Sequence, residues 1–334
     1  MAYSYSYDEP VHFPPAGTAD ELRLVPRHDP RLRAGTESLC RCLGLGEARI
    51  QLFETGSLPV FAVGDDHVLK LYPAYFASEC DRERSVLQRI ERVLPVSTPA
   101  ILAHGEVDGW RYLLLQRVPG SALDVVWPTL SAPERVRLAA EVGRLLAKLH
   151  ALDPQGSAEA DWPRFLGEQT ARCVASQSAR GLAPAWLEQI PRFLAATTLP
   201  RPTREVLLHT EIMRAHLFAK RGPSGWSLSG LIDFEPAMVG APEYEFAAVG
   251  LFLTCGDGPA LRALLLAYGY RPADLGPALQ RRFLAYALLH RYSNLRWYLE
   301  RRPPPAATTL DDVAAAWWAM GDEAEIALAP QHRP

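Results

Sequence analysis

The chain has 334 residues, is 48% hydrophobic and 22% charged, and carries a formal net charge of −3 at pH 7. This length allows two domains of about 100–200 residues each, and the small net charge predicts neither a nucleic-acid partner nor a membrane surface. Its five cysteines include one close pair, Cys40 and Cys42, which matches neither a zinc-site pattern nor a disulfide framework. Reduced thiols, the absence of a signal-peptide pattern and the short apolar stretches together predict a cytoplasmic protein.

The first part of the chain changes from a Pro-rich stretch to strands. Residues 1–30 predict an irregular lead-in, and residues 31–45 predict a helix. The apolar runs that follow predict antiparallel strands over 50–53, 60–63 and 68–72. The turn at Thr55-Gly56-Ser57 is small enough for its backbone to approach a ligand. Lys70 lies inside the last of these strands, where a lysine seldom lacks a partner.

Glu83 is the predicted partner of Lys70. The spacing of apolar residues predicts a helix over 77–93. Glu83 lies one turn before Leu87 on the apolar face of that helix, so it can turn toward the sheet. The alternative is that Lys70 extends its stem along an apolar surface and Glu83 is one of several surface charges. The Gly56 turn and the acids later in the chain favour the pair.

After two further strands the sequence becomes mostly helical. The strands are predicted over 100–104 and 110–116, and the chain leaves the sheet at 118–120. Ser131 and Glu134 form the capping pattern of an amphipathic helix that runs to residue 152. Further helices are predicted within 153–204 and over 242–253, 258–269, 276–300 and 309–326.

Residues 207–235 hold most of the chemistry. An apolar pair is followed by a polar loop and then by a predicted hairpin over 217–232 with a Gly/Pro turn. The hairpin predicts that Glu211 and His216 of the loop converge with Asp233. Convergent like charges need a cation, and this spacing of an acid, a metal ligand and a second acid is typical of phosphoryl transfer. A surface hairpin with scattered polar residues is the alternative.

Seven short motifs, in their order and spacing, make the chain resemble the aminoglycoside phosphotransferase family, which has a protein-kinase-like fold, over residues 45–300. The motifs are VLKLY at 68–72, ERSVL at 83–87, YLLLQRVPG at 112–120, LAKLH at 146–150, the loop that begins at His209, IDFE at 232–235 and GAPEYE at 240–245. The resemblance implies an α+β, bilobal protein-kinase-like fold, with a small N-terminal antiparallel sheet and one helix followed by a larger, mostly helical C-terminal lobe. The expected segments are a lead-in and helix over 1–45, a nucleotide-binding lobe over 46–118, and a helical lobe with the catalytic loop and substrate-binding helices over 119–330.

The resemblance also implies how ATP is bound. Lys70 would bind the α- and β-phosphates, with Glu83 fixing its position. Gly56 and Ser57 would cover the phosphates. The backbone from Gln116 to Val118 would contact the adenine edge.

The implied catalytic loop departs from the family pattern. Asp233 would hold Mg²⁺, Glu211 falls where the family has its catalytic Asp, and His216 falls where the family has Asn as second metal ligand. A Glu in place of Asp moves the carboxylate outward by on the order of 1.5 Å, and a misplacement of about 1 Å can lower a rate about 10²-fold. Imidazole suits transition ions, so Mn²⁺ is the alternative to Mg²⁺, and Glu235 could supply a compensating oxygen. Glu245 sits where a structural Asp is usual.

Three functions follow from this pattern. The first is an ATP-dependent phosphotransferase that moves the γ-phosphate to a hydroxyl of a small molecule such as an aminoglycoside, a sugar or an amino alcohol. The second is a pseudokinase, a nucleotide-binding or scaffold module that transfers nothing. The third, a protein kinase, is disfavoured because no long activation segment follows Asp233. A polycationic acceptor would need several acids. The candidate contacts are Glu159, Asp161, Glu168 and Glu188, and the aromatic residues Trp162 and Trp297.

Overall fold

The computed structural model describes residues 11–154 and 161–321. The chain divides into two compact units, of which the first combines Met1–Val93, Ser97–Pro119 and Leu231–Pro236 and the second combines Leu94–Val96, Gly120–Gly230 and Ala237–Pro334. The first unit holds an antiparallel sheet and the second holds most of the helices, so the predicted α+β class is confirmed. Within the described ranges, no helix is long and apolar enough to cross a membrane.

Five strands form the sheet of the first unit, in the order β1-β2-β3-β5-β4, with antiparallel neighbours throughout. The elements of this unit are α1 (Ala19–Arg23), α2 (Pro30–Cys42), β1 (Ile50–Leu52), β2 (Val60–Val63), β3 (His67–Pro73), α3 (Ala77–Ile90), β4 (Ile101–Val107) and β5 (Trp110–Gln116). Lys70 lies in the central strand, opposite Val60 of β2 and Leu113 of β5. Because side chains alternate along a strand, Lys70 points to the sheet face opposite that of Leu69.

The helix α2 covers the Leu69 face of this sheet. Its buried Leu39 belongs to one apolar core with Leu69 and Phe61. Gly35 allows the preceding chain to lie against the helix, because a Cβ there would be 2.5 Å from the His12 carbonyl oxygen. The described part of the predicted lead-in segment is therefore built into the core of the first unit.

The helix α3 begins at the predicted residue and presents one buried stripe: Cys80, Glu83, Val86, Leu87 and Ile90. This spacing places all five on one helix face. Glu83 is the charged member of the stripe and is 1% exposed, as expected of a residue that faces the sheet. Residues 231–236, which the sequence places in the helical domain, belong to the first unit, where Asp233 and Glu235 form ion pairs with Lys70.

The second unit consists mainly of helices around two small sheets. Its elements are β6 (Ser121–Ala122), α4 (Leu123–Val126), α5 (Ala132–Ala151), α6 (Trp162–Ala179), α7 (Pro184–Leu187), α8 (Gln189–Ala195), β7 (Val206–Leu208), β8 (Leu217–Gly222), β9 (Gly225–Leu231), β10 (Met238–Gly240), α9 (Phe246–Ala248), α10 (Gly258–Tyr268), α11 (Pro277–Leu288), α12 (Leu295–Arg301) and α13 (Leu310–Trp317). Strands β8 and β9 form the predicted hairpin, with β6 beside β8, and β7 pairs with β10. The helices α5 and α10 pack closely at Gly143, where a Cβ would be 2.1 Å from the Leu264 carbonyl oxygen.

The helices predicted over 242–253, 276–300 and 309–326 differ most from the structure. The helix predicted over 276–300 is α11 and α12, separated by a loop that ends at Asn294, whose side chain caps α12. The helix α9 continues into a π-helical turn over Val249–Thr254. Such turns are rare and frequently occur at functional sites. The last helix, predicted over 309–326, ends at Trp317, and the remainder of that prediction lies largely outside the described residues.

Candidate active site

Lys70 lies against three carboxylates in the first unit. Its Nζ is 2.7 Å from an oxygen of Glu83, 2.7 Å from an oxygen of Asp233 and 3.2 Å from an oxygen of Glu235. Burial alone would lower the pKa of Lys70, but Asp233 and Glu83 outweigh burial and raise that pKa well above its ordinary value. Lys70 is therefore a buried cation, and the predicted contact between Lys70 and Glu83 is present.

Glu83 is held by two further donors. The Tyr72 hydroxyl donates to Oε2 of Glu83, and the Phe234 N–H donates to Oε1 at 3.3 Å. Tyr72 and Phe234 are both fully buried. A carboxylate bonded on both oxygens cannot easily change rotamer, so it keeps the Lys70 ammonium in one place.

The cluster around Lys70 carries more negative than positive charge. One oxygen from each of Glu83, Asp233 and Glu235 lies within 4.8 Å of the others. Burial raises the pKa of Glu235 to about 7, against the lowering effect of Lys70. Asp233 has the most exposed side chain of the three, at 30%, and its φ is +69°. Left-handed backbone at a non-glycine residue often occurs at functional sites, and hard carboxylate oxygens are the ligands that Mg²⁺ prefers. Asp233, with Glu235 beside it, therefore fits a divalent cation.

The turn between β1 and β2 is exposed and is held by Arg27. The Arg27 guanidinium donates to the carbonyl oxygens of Phe53 at 2.9 Å, of Thr55 at 3.3 Å and of Gly56. Gly56 has a φ of +106°, which favours glycine. Because Arg27 binds carbonyl oxygens, the N–H groups of the turn remain the donors that a phosphate would need. That Gly56 and Ser57 cover phosphates stays a prediction.

Two backbone N–H groups, at the end of β5 and directly after it, already donate hydrogen bonds within the protein. The N–H of Gln116 donates to the Ala100 carbonyl oxygen and the N–H of Arg117 donates to the Asp66 carbonyl oxygen, each at 2.8 Å. Contact with an adenine edge stays a prediction for Gln116 to Val118. Of the N–H groups in this segment, the one at Val118 is the candidate to donate a hydrogen bond to the adenine edge.

In the second unit, Glu245 holds the start of the polar loop. Its fully buried carboxylate accepts the N–H of His209 at 2.8 Å and the N–H of Thr210 at 2.7 Å. His150 Nε2 lies 3.3 Å from the same carboxylate, and its Nδ1 lies 2.9 Å from the Tyr268 hydroxyl oxygen. The buried carboxylate is thus well provided with partners and ties the loop to α5 and α10.

Thr210 has a left-handed backbone conformation. Its φ is +71°, and its side chain is fully buried. Positive φ is a genuine outlier for a β-branched residue. In the family that the chain resembles, the catalytic loop usually reads His-Gly-Asp, so a Gly stands where this chain has Thr210. The Gly of the family pattern indicates a left-handed backbone at this position, because glycine adopts this conformation without a steric cost.

His216 is bonded to the loop that it closes. Its Nδ1 lies 3.0 Å from the carbonyl oxygen of Glu211. A carbonyl oxygen only accepts, so Nδ1 carries the hydrogen, and in the neutral form of the ring Nε2 carries the lone pair. Metal-binding histidines commonly donate their other ring N–H in this way, so His216 has the tautomer that a metal ligand needs. That Glu211 and His216 converge with Asp233 stays a prediction.

A pocket of about 290 Å³, which we name the Glu211 pocket, is lined by Glu211 and other residues of the second unit. The loop, the π-helical turn, α11 and α12 all contribute to its lining, so it was not visible in any single stretch of sequence. Trp297 lines this pocket. Trp162 instead is buried against Tyr244 and Phe165 and belongs to the core.

A family model described as the phosphotransferase enzyme family matches residues 49–282, a range that contains every predicted catalytic, nucleotide-binding and metal-binding residue. The chain belongs to the phosphotransferase enzyme family. No curated protein matches this chain by sequence.

Solved structures are similar to this chain in fold. The GDP complex of wild-type aminoglycoside 2'-phosphotransferase-IIIa has a TM-score of 0.63 and 18% identity, covering 76% of this chain and 87% of that one. The streptomycin–ATP complex of APH(2")-IIa has a TM-score of 0.58 and 17% identity, covering 80% and 90%. The macrolide 2'-phosphotransferase MphH from Brachybacterium faecium has a TM-score of 0.53 and 22% identity, covering 82% and 93%. These similarities confirm the predicted protein-kinase-like fold.

Proposed function

We propose that this protein transfers the γ-phosphoryl group of ATP to a hydroxyl group of a small molecule in the cytoplasm. Family membership supports phosphoryl transfer as the reaction type. The Lys70 cluster is the observation that supports ATP as the phosphoryl donor. A buried ammonium that is fixed by Glu83 and remains charged is suited to bind phosphate oxygens. ATP adds negative charge to a cluster that already has an excess of it, so a divalent cation is needed with the nucleotide.

Each site residue of this chain has a separate proposed role in binding the nucleotide and the metal. Lys70, positioned by Glu83, binds the α- and β-phosphates, and Val118 meets the adenine edge. Asp233 and His216 would hold Mg²⁺, or Mn²⁺ as the alternative. When bound, the metal supplies charge neutralisation at the phosphates.

Glu211 is the proposed general base. Its carboxylate accepts the proton of the acceptor hydroxyl, whose oxygen forms a bond to the γ-phosphorus. The bond between the γ-phosphorus and the bridging oxygen breaks, and ADP leaves with that electron pair. A positioned base of this kind contributes about 10²–10⁴-fold to a rate.

A pseudokinase is the second candidate, and the catalytic loop favours it. Thr210 has a strained backbone, and Glu211 and His216 stand where the family usually has Asp and Asn. A chain of this kind would use the Lys70 cluster to bind nucleotide and would transfer nothing.

Two measurements separate these functions. ATP with Mg²⁺ or Mn²⁺ should stabilise the full chain by about 2.7 kcal/mol when the ligand is at about 100 times its Kd. A panel of hydroxyl compounds that includes kanamycin and simple glycosides is then tested for acceptor-dependent ADP release and for a phosphorylated product by mass spectrometry. Stabilisation with a phosphorylated product supports the phosphotransferase, and stabilisation without any product supports the pseudokinase. Absence of nucleotide stabilisation with either ion contradicts both.

A further inference from the structure

We propose that the acceptor bound in the Glu211 pocket is a hydroxyl compound with an apolar ring or chain and at most one positive charge, and is not a polycation. This inference rests on the proposed function, because Glu211 is the group that would face the reacting hydroxyl. It names the substrate class, which the family leaves open.

The lining of the Glu211 pocket is mainly apolar. Beside Glu211 and Thr210 it includes aliphatic side chains from four elements: Met213, Ala248, Leu251 and Ala287. Contact with such an apolar lining favours apolar ligand atoms, because they lose little hydration free energy when they leave water. Ligand pockets of this type use a few polar groups to orient the ligand and apolar contacts to hold it.

Aromatic side chains at this pocket are left partly uncovered. Tyr292 is 49% exposed and Trp297 is 39% exposed, and both line the pocket. The Trp297 ring centroid lies 6.0 Å from that of Phe252, which lies 5.7 Å from that of Tyr298. Exposed aromatic surface beside a concave pocket is typical of a binding site. An apolar part of the acceptor would cover these rings.

The charges at the pocket do not suit a polycation. Among the described residues that line it, Glu211 is the one carboxylate, and Arg180 also lines it. Burial lowers the pKa of His290, another lining residue, to about 4, so that imidazole is neutral at pH 7. Each ammonium beyond the first would enter the pocket without a carboxylate partner, which is unfavourable.

The acids predicted to contact a polycation do not line the Glu211 pocket where the structure describes them. Asp161 caps α6 by accepting the Arg164 N–H, and Glu168 pairs with the Arg164 side chain at 2.9 Å. Glu188 is exposed between α7 and α8, away from the pocket lining. Glu159 lies outside the described residues.

Pocket size limits the acceptor further. Pockets for drug-sized ligands have volumes of about 300–1,000 Å³. The Glu211 pocket, at about 290 Å³, lies at the lower end of this range. It fits one ring with its substituents, either as a small acceptor or as one part of a larger molecule.

Three probes with shared hydroxyl chemistry test this inference by calorimetry on the full chain. Phenyl β-D-glucoside and methyl β-D-glucoside differ only in the apolar group, and kanamycin is a polycation. Phenyl β-D-glucoside should bind about 10- to 100-fold more tightly than the methyl compound, because the pocket buries its ring. Kanamycin should bind no more tightly than methyl β-D-glucoside. Equal affinity of the two glucosides, or tightest binding of kanamycin, overturns the inference.

Two matched variants locate the binding. Tyr292→Ala should lower the affinity for phenyl β-D-glucoside to that of the methyl compound. Tyr75→Ala is the control, because Tyr75 is also 49% exposed but does not line the pocket. It should leave both affinities unchanged, and equal losses in the two variants overturn the assignment to this pocket. Thermal unfolding of both variants verifies that each is folded.

Failure of this inference can be distinguished from failure of the proposed function. Tyr292-dependent binding of phenyl β-D-glucoside without phosphorylation of any compound supports the pocket and contradicts the phosphotransferase. Phosphorylation of kanamycin with a higher kcat/KM than that of phenyl β-D-glucoside supports the phosphotransferase and overturns the inference.

Discussion

The two units of the chain hold their acidic residues by different means. In the first unit, Glu83, Asp233 and Glu235 surround one buried ammonium, so Lys70 is the positive charge that all three share. In the second unit, the buried Glu245 is held mainly by backbone N–H groups. Substitutions that change charge should therefore disturb the first unit most. Substitutions that change backbone conformation or side-chain length should disturb the second unit most.

The largest effect on stability is expected for Lys70→Met. Removing the ammonium leaves three buried or partly buried carboxylates without their cation, and breaking a buried ion pair costs about 3–5 kcal/mol. Denaturant unfolding at pH 8 measures this loss. Lys148→Met is the control, because Lys148 is exposed and its replacement should change stability by less than about 0.5 kcal/mol.

Two further results sharpen the Lys70 prediction. Glu235→Gln in the Lys70→Met background should restore part of the stability, because it removes one unpaired carboxylate. A loss below about 1 kcal/mol in Lys70→Met would contradict the dependence of the first unit on this charge.

In the second unit, we expect a pH effect from His290. Burial holds the pKa of His290 at about 4, whereas an unfolded histidine titrates near its ordinary value of 6.5. The unfolded state therefore binds the additional proton first, so this histidine lowers stability as the pH falls from about 6.5 to about 4. The effect is on the order of 2–3 kcal/mol across that window. His290→Gln should lose less stability over the same pH range in parallel denaturant titrations, and identical pH profiles would rule out this contribution.

The metal preference should change with His216. Imidazole suits transition ions, so wild type should bind Mn²⁺ more tightly relative to Mg²⁺ than a chain with an amide at this position. His216→Asn should shift the ratio of the two affinities toward Mg²⁺ by about 10-fold, the lower end of the effect seen when metal-site residues are changed. The readout is nucleotide-dependent stabilisation titrated with each ion. An unchanged ratio would show that His216 is a hydrogen-bonding residue of the loop and not a ligand.

The smallest effect is expected for Thr210→Gly. Release of the left-handed strain, about 1–3 kcal/mol, should offset most of the loss of a buried side chain, leaving stability within about 1 kcal/mol of wild type. Thr36→Gly is a matched control, because Thr36 is equally buried but lies within α2. It should cost clearly more, because a helical glycine costs about 1 kcal/mol in addition to the lost burial. Equal losses in the two variants would show that Thr210 is not strained.

Regular elements explain which parts of the site the sequence could predict. Lys70 and Glu83 lie on a strand and a helix whose periodicities fix the faces of their side chains, so spacing allowed their contact. The Gly56 turn and the acids later in the chain favoured it over the alternative. The bonds from Glu245 to His209 and Thr210 join residues far apart in the chain, and no local pattern reports them. The Glu211 pocket likewise needs several separate segments. The loop before Asn294 contains no Pro or Gly, the residues that usually mark the end of a helix in a sequence. One long helix was therefore predicted where α11 and α12 occur.

The most direct test of a working phosphotransferase is the pair Glu211→Gln and Glu211→Asp, measured on a confirmed acceptor. Glu211→Gln keeps the shape of the side chain and loses the base, so the nucleotide Kd should remain that of wild type while turnover falls by about 10²–10⁴-fold. Glu211→Asp should also be slow, because the shorter side chain places the carboxylate on the order of 1.5 Å from where this loop uses it. Activity of Glu211→Gln equal to that of wild type would contradict Glu211 as the general base, because a different group would then accept the proton of the acceptor hydroxyl.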